Sequence, residues 1–153
     1  VGLVAASDIA VASKKASFSF AEVRLGLVPA VISPHVLRKV GMSLARELIL
    51  TGRRIDAAEA LRIGLVHRLA DEERLDEAVA EIVRDLKAGG PEALARAKRL
   101  LEEVSRLLHG SPSVLADYTA AEIAAARASA EGRTGTTAFL EKKPPPWLKD
   151  GGT

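Results

Sequence analysis

Glu22 is the side chain best placed to move a proton. It sits in the run Ala16-Ser17-Phe18-Ser19-Phe20-Ala21-Glu22, ahead of Gly26 and Pro29. Apolar and polar residues alternate with a period of two, which reads as a strand with one buried face. Phe18, Phe20 and Glu22 share parity, so a strand that holds to its end aims the carboxylate where the aromatics point. Apolar walls disfavour the charged form of a carboxyl, which suits proton transfer at neutral pH. The alternative is an acid at a strand end that turns to solvent or pairs with Arg24 or Lys39. The three histidines, His35, His67 and His109, have no metal-ligand spacing, so no metal is expected. His35 falls on the first turn of a helix, where it lines a pocket or lies on the surface. His67 (strand) and His109 (loop) read as structural or solvated. The sequence holds no Gly-x-Ser-x-Gly, no Walker loop and no dinucleotide-binding glycine fingerprint. Lys142 and Lys143 close a helix, where the dipole favours positive charge, and could equally bind a phosphate. Phe139 just before them reads more readily as core than as a ligand platform.

The elements that must hold these groups follow from periodicity and punctuation. Val1 to Ala6 reads as a short buried helix, Asp8 to Ala12 as a strand, and Ala16 to Val23 as a second strand broken by Gly26 to Pro29. Ser33-Pro34 predicts a helix start, with Ser as the cap and Pro at the first helical position. That helix carries Leu37, Val40, Leu44 and Leu48, is interrupted at Gly41 and ends at Gly52. Asp56-Ala57-Ala58-Glu59 predicts a capping box opening a short helix that Gly64 stops. Leu65 to Leu69 reads as a strand. Leu75, Val79, Ile82, Val83 and Leu86 mark one helix face. Gly89-Gly90-Pro91 ends that helix and opens another, with Leu94, Ala97, Leu101, Val104 and Leu108 inward. A loop at Gly110 to Ser113 precedes a helix from Val114 to Ala130. A last turn or two covers Thr137 to Lys142, stopped by Pro144-Pro145-Pro146. The expectation is an α/β class, with two or three strands over residues 1–70 and helices over 71–153.

The chain has 153 residues, enough for one domain with a real core. It is 48% hydrophobic but only 3% aromatic, so aliphatic side chains and alanines must do the packing. With a net charge of +2 and no basic stripe interleaved with aromatics, no nucleic-acid partner is expected. The absence of cysteine excludes disulfides and thiolate chemistry and fits a cytoplasmic protein. No apolar run is long enough to cross a membrane, and none is expected as a partner. The chain opens on Val1, and its only methionine is Met42. With the apolar start, this leads us to expect the C-terminal part of a longer protein.

Four stretches together resemble the crotonase (enoyl-CoA hydratase/isomerase) superfamily: "VGLVAASDIAVAS", "ASFSFAEVRLGLVPAVISP", "LTGRRIDAAEALRIGLVHRL" and "ASAEGRTGTTAFLEKKPPPW". Their order and spacing match over nearly the whole chain, and the run from Leu50 to Val66 is highly specific as a package. The resemblance implies the C-terminal part of a ββα spiral over 1–70, with its N-terminal part missing, followed by a helical trimerisation region over 71–153. It implies an acyl-CoA thioester substrate, coenzyme A entering only as part of that substrate, no separate cofactor, and a homotrimer or hexamer. Family members stabilise a thioester enolate with two backbone N–H groups, such donors being worth roughly 3–4 kcal/mol each. In the resemblance one donor lies on a strand in the missing part and the other on a glycine upstream of Val1. The chain as it stands is therefore expected to be catalytically incomplete.

Hydratases of the family commonly carry two glutamates. Glu22 matches the second, which raises its catalytic reading above the alternatives. The first falls on Gly2, which has no side chain. Three readings follow. Glu22 handles both water and the α-carbon proton in a hydratase or dehydratase; or it shuttles a proton between two carbons, as in an enoyl-CoA isomerase; or a side chain from elsewhere supplies the second function. A non-catalytic assembly protein is the rival from another class. The "VPAVISP" turn, with Pro29 and Ala30 at the substrate pocket, resembles a branch that includes methylglutaconyl-CoA hydratases and favours the hydratase reading. Phe139 and Lys142 match positions that contact CoA, usually that of a neighbouring subunit: a ring against adenine or pantetheine and an ammonium near a phosphate.

Overall fold

A computed structural model of the chain describes residues 1–148. Residues 149–153 of the expected helical region lie outside them. The elements run α1 (Gly2–Ala6), β1 (Val11–Ser13), β2 (Ser17–Ser19), a 3-10 turn (Ala21–Leu25), α2 (Ser33–Thr51), β3 (Arg54–Asp56), α3 (Ala57–Arg62), β4 (Arg68–Ala70), α4 (Leu75–Lys87), α5 (Pro91–Leu107), α6 (Pro112–Ala128) and α7 (Ala130–Leu140). Short 3-10 turns also precede α4 and follow α7. The chain divides into two compact units, Val1–Glu81 and a second beginning at Ile82.

In the first unit the strands form two pairs. β1 runs parallel to β4, with Val11 opposite Arg68 and Ser13 opposite Ala70. β2 runs antiparallel to β3, with Ser17 opposite Asp56 and Ser19 opposite Arg54. Around them Phe20, Val36, Leu48, Ile55, Leu65 and Val66 are almost completely buried. Burial of side chains of this size contributes about 1.5–3 kcal/mol each. The core also holds Ala5, Ala10, Ala12, Val40, Ala45, Ala60 and Ile63.

Several sequence expectations change here. The second strand stops at Ser19 rather than Val23, because β3 offers only three partner residues. The chain then enters a 3-10 turn, so Glu22 does not inherit the strand's parity. β3 itself was not anticipated; three residues are too few to display a period. The first strand shifts from Asp8–Ala12 to Val11–Ser13, and the one expected at Leu65–Leu69 shifts to Arg68–Ala70. Leu65 and Val66 instead turn with both backbone N–H groups on the Ala60 carbonyl, at 2.9 and 3.2 Å. α1 forms as expected, but Leu3 is 88% exposed and only Ala5 of the helix is buried.

α2 starts at Ser33 and ends at Gly52, which caps it in the left-handed region (φ 57°). Gly41 (φ 78°, ψ 165°) breaks it where the sequence placed an interruption. Ser33 does not cap the helix; its hydroxyl donates to the Ala30 carbonyl at 3.0 Å. Asp56 does cap α3, accepting from the Glu59 N–H at 2.7 Å. The Glu59 carboxylate, however, leaves the capping box for Arg53, at 2.6 and 2.8 Å. Arg53 also holds Glu47 at 2.5 and 3.0 Å. These bonds pull both carboxyls below their ordinary range and raise the guanidinium above its own.

The second unit is helical. Gly90 opens α5 without a side-chain cap, and the Glu131 carboxylate supplies the cap from α7. It accepts the N–H groups of Glu92 and Ala93 at 2.9 and 2.7 Å. A β-carbon on Gly90 would collide with this carboxylate. Where one helix from Val114 to Ala130 and a terminal turn were expected, α6 ends at Ala128. Ser129 then caps the full-length α7 by accepting the Gly132 N–H at 2.9 Å. The apolar stripe expected on α5 is only partly covered: Leu101 is 70% and Leu108 60% exposed. Among the described residues, Ala138, at 9% exposure, is the only hydrophobic side chain outside the first unit that is buried.

Candidate active site

Glu22 is held by a turn fastened at both ends to the C-terminus of α2. The Ser19 hydroxyl donates to the Gly52 carbonyl at 3.1 Å, and the Arg24 guanidinium donates to the Thr51 carbonyl at 3.3 Å. The Arg24 side chain lies across Gly52, with Nε 3.1 Å from where a β-carbon there would be. Gly26 (φ 73°) ends the turn in the left-handed region, and the Leu27 N–H closes back on the Glu22 carbonyl at 3.0 Å.

The side chain so fixed is half-buried. Its Oε2 is fully buried and has no hydrogen-bond partner among the described residues. Both of the cations that the sequence offered as neighbours are engaged elsewhere. Arg24 bonds to Thr51, while the Lys39 ammonium donates to the Val4 and Ser7 carbonyls at 2.9 and 2.5 Å and so closes the C-terminus of α1. Burial lowers the Lys39 pKa from its ordinary value, against the opposing charge of Asp8. A buried carboxylate oxygen without a donor costs about 1–3 kcal/mol, more when charged, unless something outside the chain meets it. Such an oxygen is chemically available: it can accept a proton from a ligand or deliver one.

The segment following the turn is apolar from Leu25 to Ile32. Pro29 is buried while Ala30 is exposed, and Leu25, Leu27, Val28 and Val31 stand open at 60–86% exposure. Gly2 opens α1, and the space a side chain would need there is taken. Ile32 Cγ2 lies 2.6 Å from the position of a β-carbon on residue 2. Sequence reasoning noticed the missing side chain at Gly2 but not the methyl group that fills its place. The two residues lie thirty positions apart, and no periodicity links them. α1 and the Glu22 turn both pack on α2.

The other candidate residues belong to the second unit. The Phe139 ring is 81% exposed rather than part of a core. Lys142 carries the one positive φ of a non-glycine residue among those described, 55°. It reverses the chain at the end of α7: its N–H donates to the Phe139 carbonyl at 3.1 Å and the Lys143 N–H to the Ala138 carbonyl at 2.8 Å. This double bond pattern closes a helix with a left-handed residue, usually glycine. Lys143 pairs with Glu141 at 2.8 Å, whereas the Lys142 ammonium has no ion pair among the described residues. Gly135, Thr136, Phe139, Lys143, Pro145 and Trp147 line a groove of about 430 Å³ beside them. Trp147 had gone unremarked in the sequence.

His67 is structural: its ring Nδ1 accepts the Ala10 backbone N–H at 3.0 Å and its backbone N–H donates to the Ala10 carbonyl at 2.8 Å. His35 is exposed. No cluster of side chains able to hold a metal ion occurs among the described residues. No helix among them is long and apolar enough to cross a membrane.

Residues 1–150 match the family described as enoyl-CoA hydratase/isomerase. The carnitinyl-CoA dehydratase of Citrobacter koseri is 32% identical over 161 residues, covering 95% of this chain and 56% of that protein. Among solved structures, an enoyl-CoA hydratase from Shewanella pealeana aligns with a TM-score of 0.89 at 40% identity, over 95% of this chain and 54% of its own. Pseudomonas aeruginosa AtuE aligns with a TM-score of 0.87 at 41% identity, over 95% and 56%. The chain thus spans a little over half the length of these three proteins.

Proposed function

The chain belongs to the enoyl-CoA hydratase/isomerase family, as its four motif stretches anticipated, and from that premise we propose that it carries the proton-transfer half of an acyl-CoA hydratase or dehydratase. Glu22 is the single acid/base. The buried, unpartnered Oε2 supports this reading more than any other feature.

In the hydration direction the Glu22 carboxylate takes a proton from water as the water oxygen bonds to the β-carbon of an enoyl thioester. The π electrons of the double bond move toward the thioester carbonyl and form an enolate. Glu22, now protonated, gives the same proton to the α-carbon as the carbonyl re-forms. Dehydration is the reverse. One acid suffices because the proton it gains is the proton it returns. Ile32 in the space over Gly2 favours this one-acid cycle over one that needs a second carboxylate on α1. The enolate needs backbone N–H donors, which the resemblance puts upstream of Val1, so the activity is that of the whole protein. The open apolar side chains beside Glu22 suit an acyl group rather than a charged one at the reacting end.

The exposed Phe139 ring and Lys142, which has no ion pair among the described residues, support the expected contact with coenzyme A, an aromatic face and a cation for a phosphate. The open apolar residues of the helical unit, Leu101, Leu108 and Ile123 among them, support homo-oligomerisation, the trimer or hexamer of the resemblance. Glu22→Gln in the whole protein tests the mechanism. Hydration of an enoyl-CoA should fall by several orders of magnitude while acetyl-CoA binding measured by calorimetry is kept. Unchanged turnover would reject the mechanism, and absence of acetyl-CoA binding by the unaltered protein would favour a purely structural family member.

A further inference from the structure

We propose that Trp147 is a positioning residue for Lys142. This rests on the reading above, in which Lys142 meets a phosphate of the coenzyme. The chain leaves α7, reverses at Lys142 in the left-handed region, and runs back along the helix. The far end of this reversal is pinned by Trp147. Its indole N–H donates to the Ala88 carbonyl at 3.0 Å, one of the carbonyls left without a helical partner at the end of α4. Its ring lies on Gly135 so closely that a β-carbon there would stand 2.6 Å from Cη2. Phe139 lies one helical turn further along α7, and Phe139, Pro145 and Trp147 line one groove. Lys142 thus stands at the apex of a loop whose near end is fixed by two backbone bonds and whose far end is fixed by one indole ring.

A left-handed lysine is not the conformation that the residue prefers, and it persists only where its surroundings over-determine it. That surrounding is the pair of backbone bonds to Phe139 and Ala138 together with Trp147 and the glycine beneath it, which hold the chain beyond the reversal. Release of the ring frees residues 143–148, lets Lys142 relax out of the left-handed region, and takes its ammonium away from the coenzyme.

A double-mutant cycle tests this in the whole protein, with acetyl-CoA as the probe and calorimetry as the readout. Gly135→Ala pushes the ring off α7; Trp147→Phe keeps a ring but loses the bond to Ala88 and stands in should the first variant fold poorly. Each should weaken acetyl-CoA binding about tenfold (about 1.4 kcal/mol), and in Gly135→Ala the emission of Trp147 should shift to the red. In a Lys142→Ala background the same changes should have no further effect. Equal losses in both backgrounds, or no loss when Lys142 is present, would overturn the proposal. If Lys142→Ala by itself binds acetyl-CoA normally, the coenzyme reading falls and this proposal with it. That result is distinct from one in which Lys142 matters and Trp147 does not.

Discussion

Replacing Lys142 by glycine should make the protein more stable and a poorer binder of coenzyme A. The residue is held at φ 55° where helices of this ending usually carry glycine. Keeping a side chain in the left-handed region costs about 1–2 kcal/mol. Glycine returns about 0.5–1 kcal/mol of that by giving the unfolded chain more freedom. The net expectation is a gain of about 0.5–1 kcal/mol, read as a higher midpoint in urea with an unchanged slope. The ammonium is exposed, so its bond to a phosphate is screened and worth the low end of the charged range, about 1.5 kcal/mol. Its loss should weaken acetyl-CoA about tenfold. Lys142→Ala separates the two effects: it should lose the same affinity without the gain in stability. A lower urea midpoint for the glycine variant would refute the strain argument. Unaltered acetyl-CoA binding by both variants would refute the role given to the ammonium.

Two further outcomes follow from the first unit. Gly2→Glu should destabilise by about 1–3 kcal/mol through overpacking against Ile32, and Ile32→Ala should relieve most of that cost, so that urea midpoints show the two positions to be strongly coupled. Glu47 and Glu59 have folded pKa values below their ordinary 4.5 because Arg53 bonds to both. A depressed carboxyl contributes stability that is present above its unfolded value and lost as pH falls through its folded value. Urea unfolding from pH 7 to pH 3 should therefore show wild type losing its advantage over Arg53→Met below about pH 4.5, with no such convergence if the three groups act independently.

Punctuation was the most legible level of this sequence. Ser33-Pro34, Gly41 and Gly52 marked the start, break and end of α2, and Gly89-Gly90-Pro91 marked the junction of α4 and α5, because each depends on the backbone freedom of a single residue. Strand limits were not legible, since a strand ends where its partner does; the three residues of β3, too short to show a period, cut β2 at Ser19. The stripe on α5 named residues that share a face without telling whether anything covers it. The break between α6 and α7 hid in an alanine-rich run, where Ser129 looked like one more small residue until its hydroxyl met Gly132.

Glu22 was singled out in the sequence on two grounds, strand parity and a match to a family motif, and the structure removes the first. The expected strand parity does not reach it. Its isolation comes from Ser19 and Arg24 fastening the turn to α2 and from Lys39 being committed to α1. Those are contacts between residues that lie far apart along the chain, and spacing carries no trace of them. The contacts of Trp147 are equally invisible in the sequence, because they join its ring to Gly135 and its N–H to the Ala88 carbonyl.

The central claim is that one buried carboxyl oxygen faces the reacting carbons of a thioester. A crystal structure of the whole protein with a bound acyl-CoA measures this directly. The account predicts Glu22 Oε2 about 3–3.5 Å from the α-carbon or from a water poised on the β-carbon. A Glu22 side chain turned into bulk solvent, with the acyl group elsewhere, would contradict it.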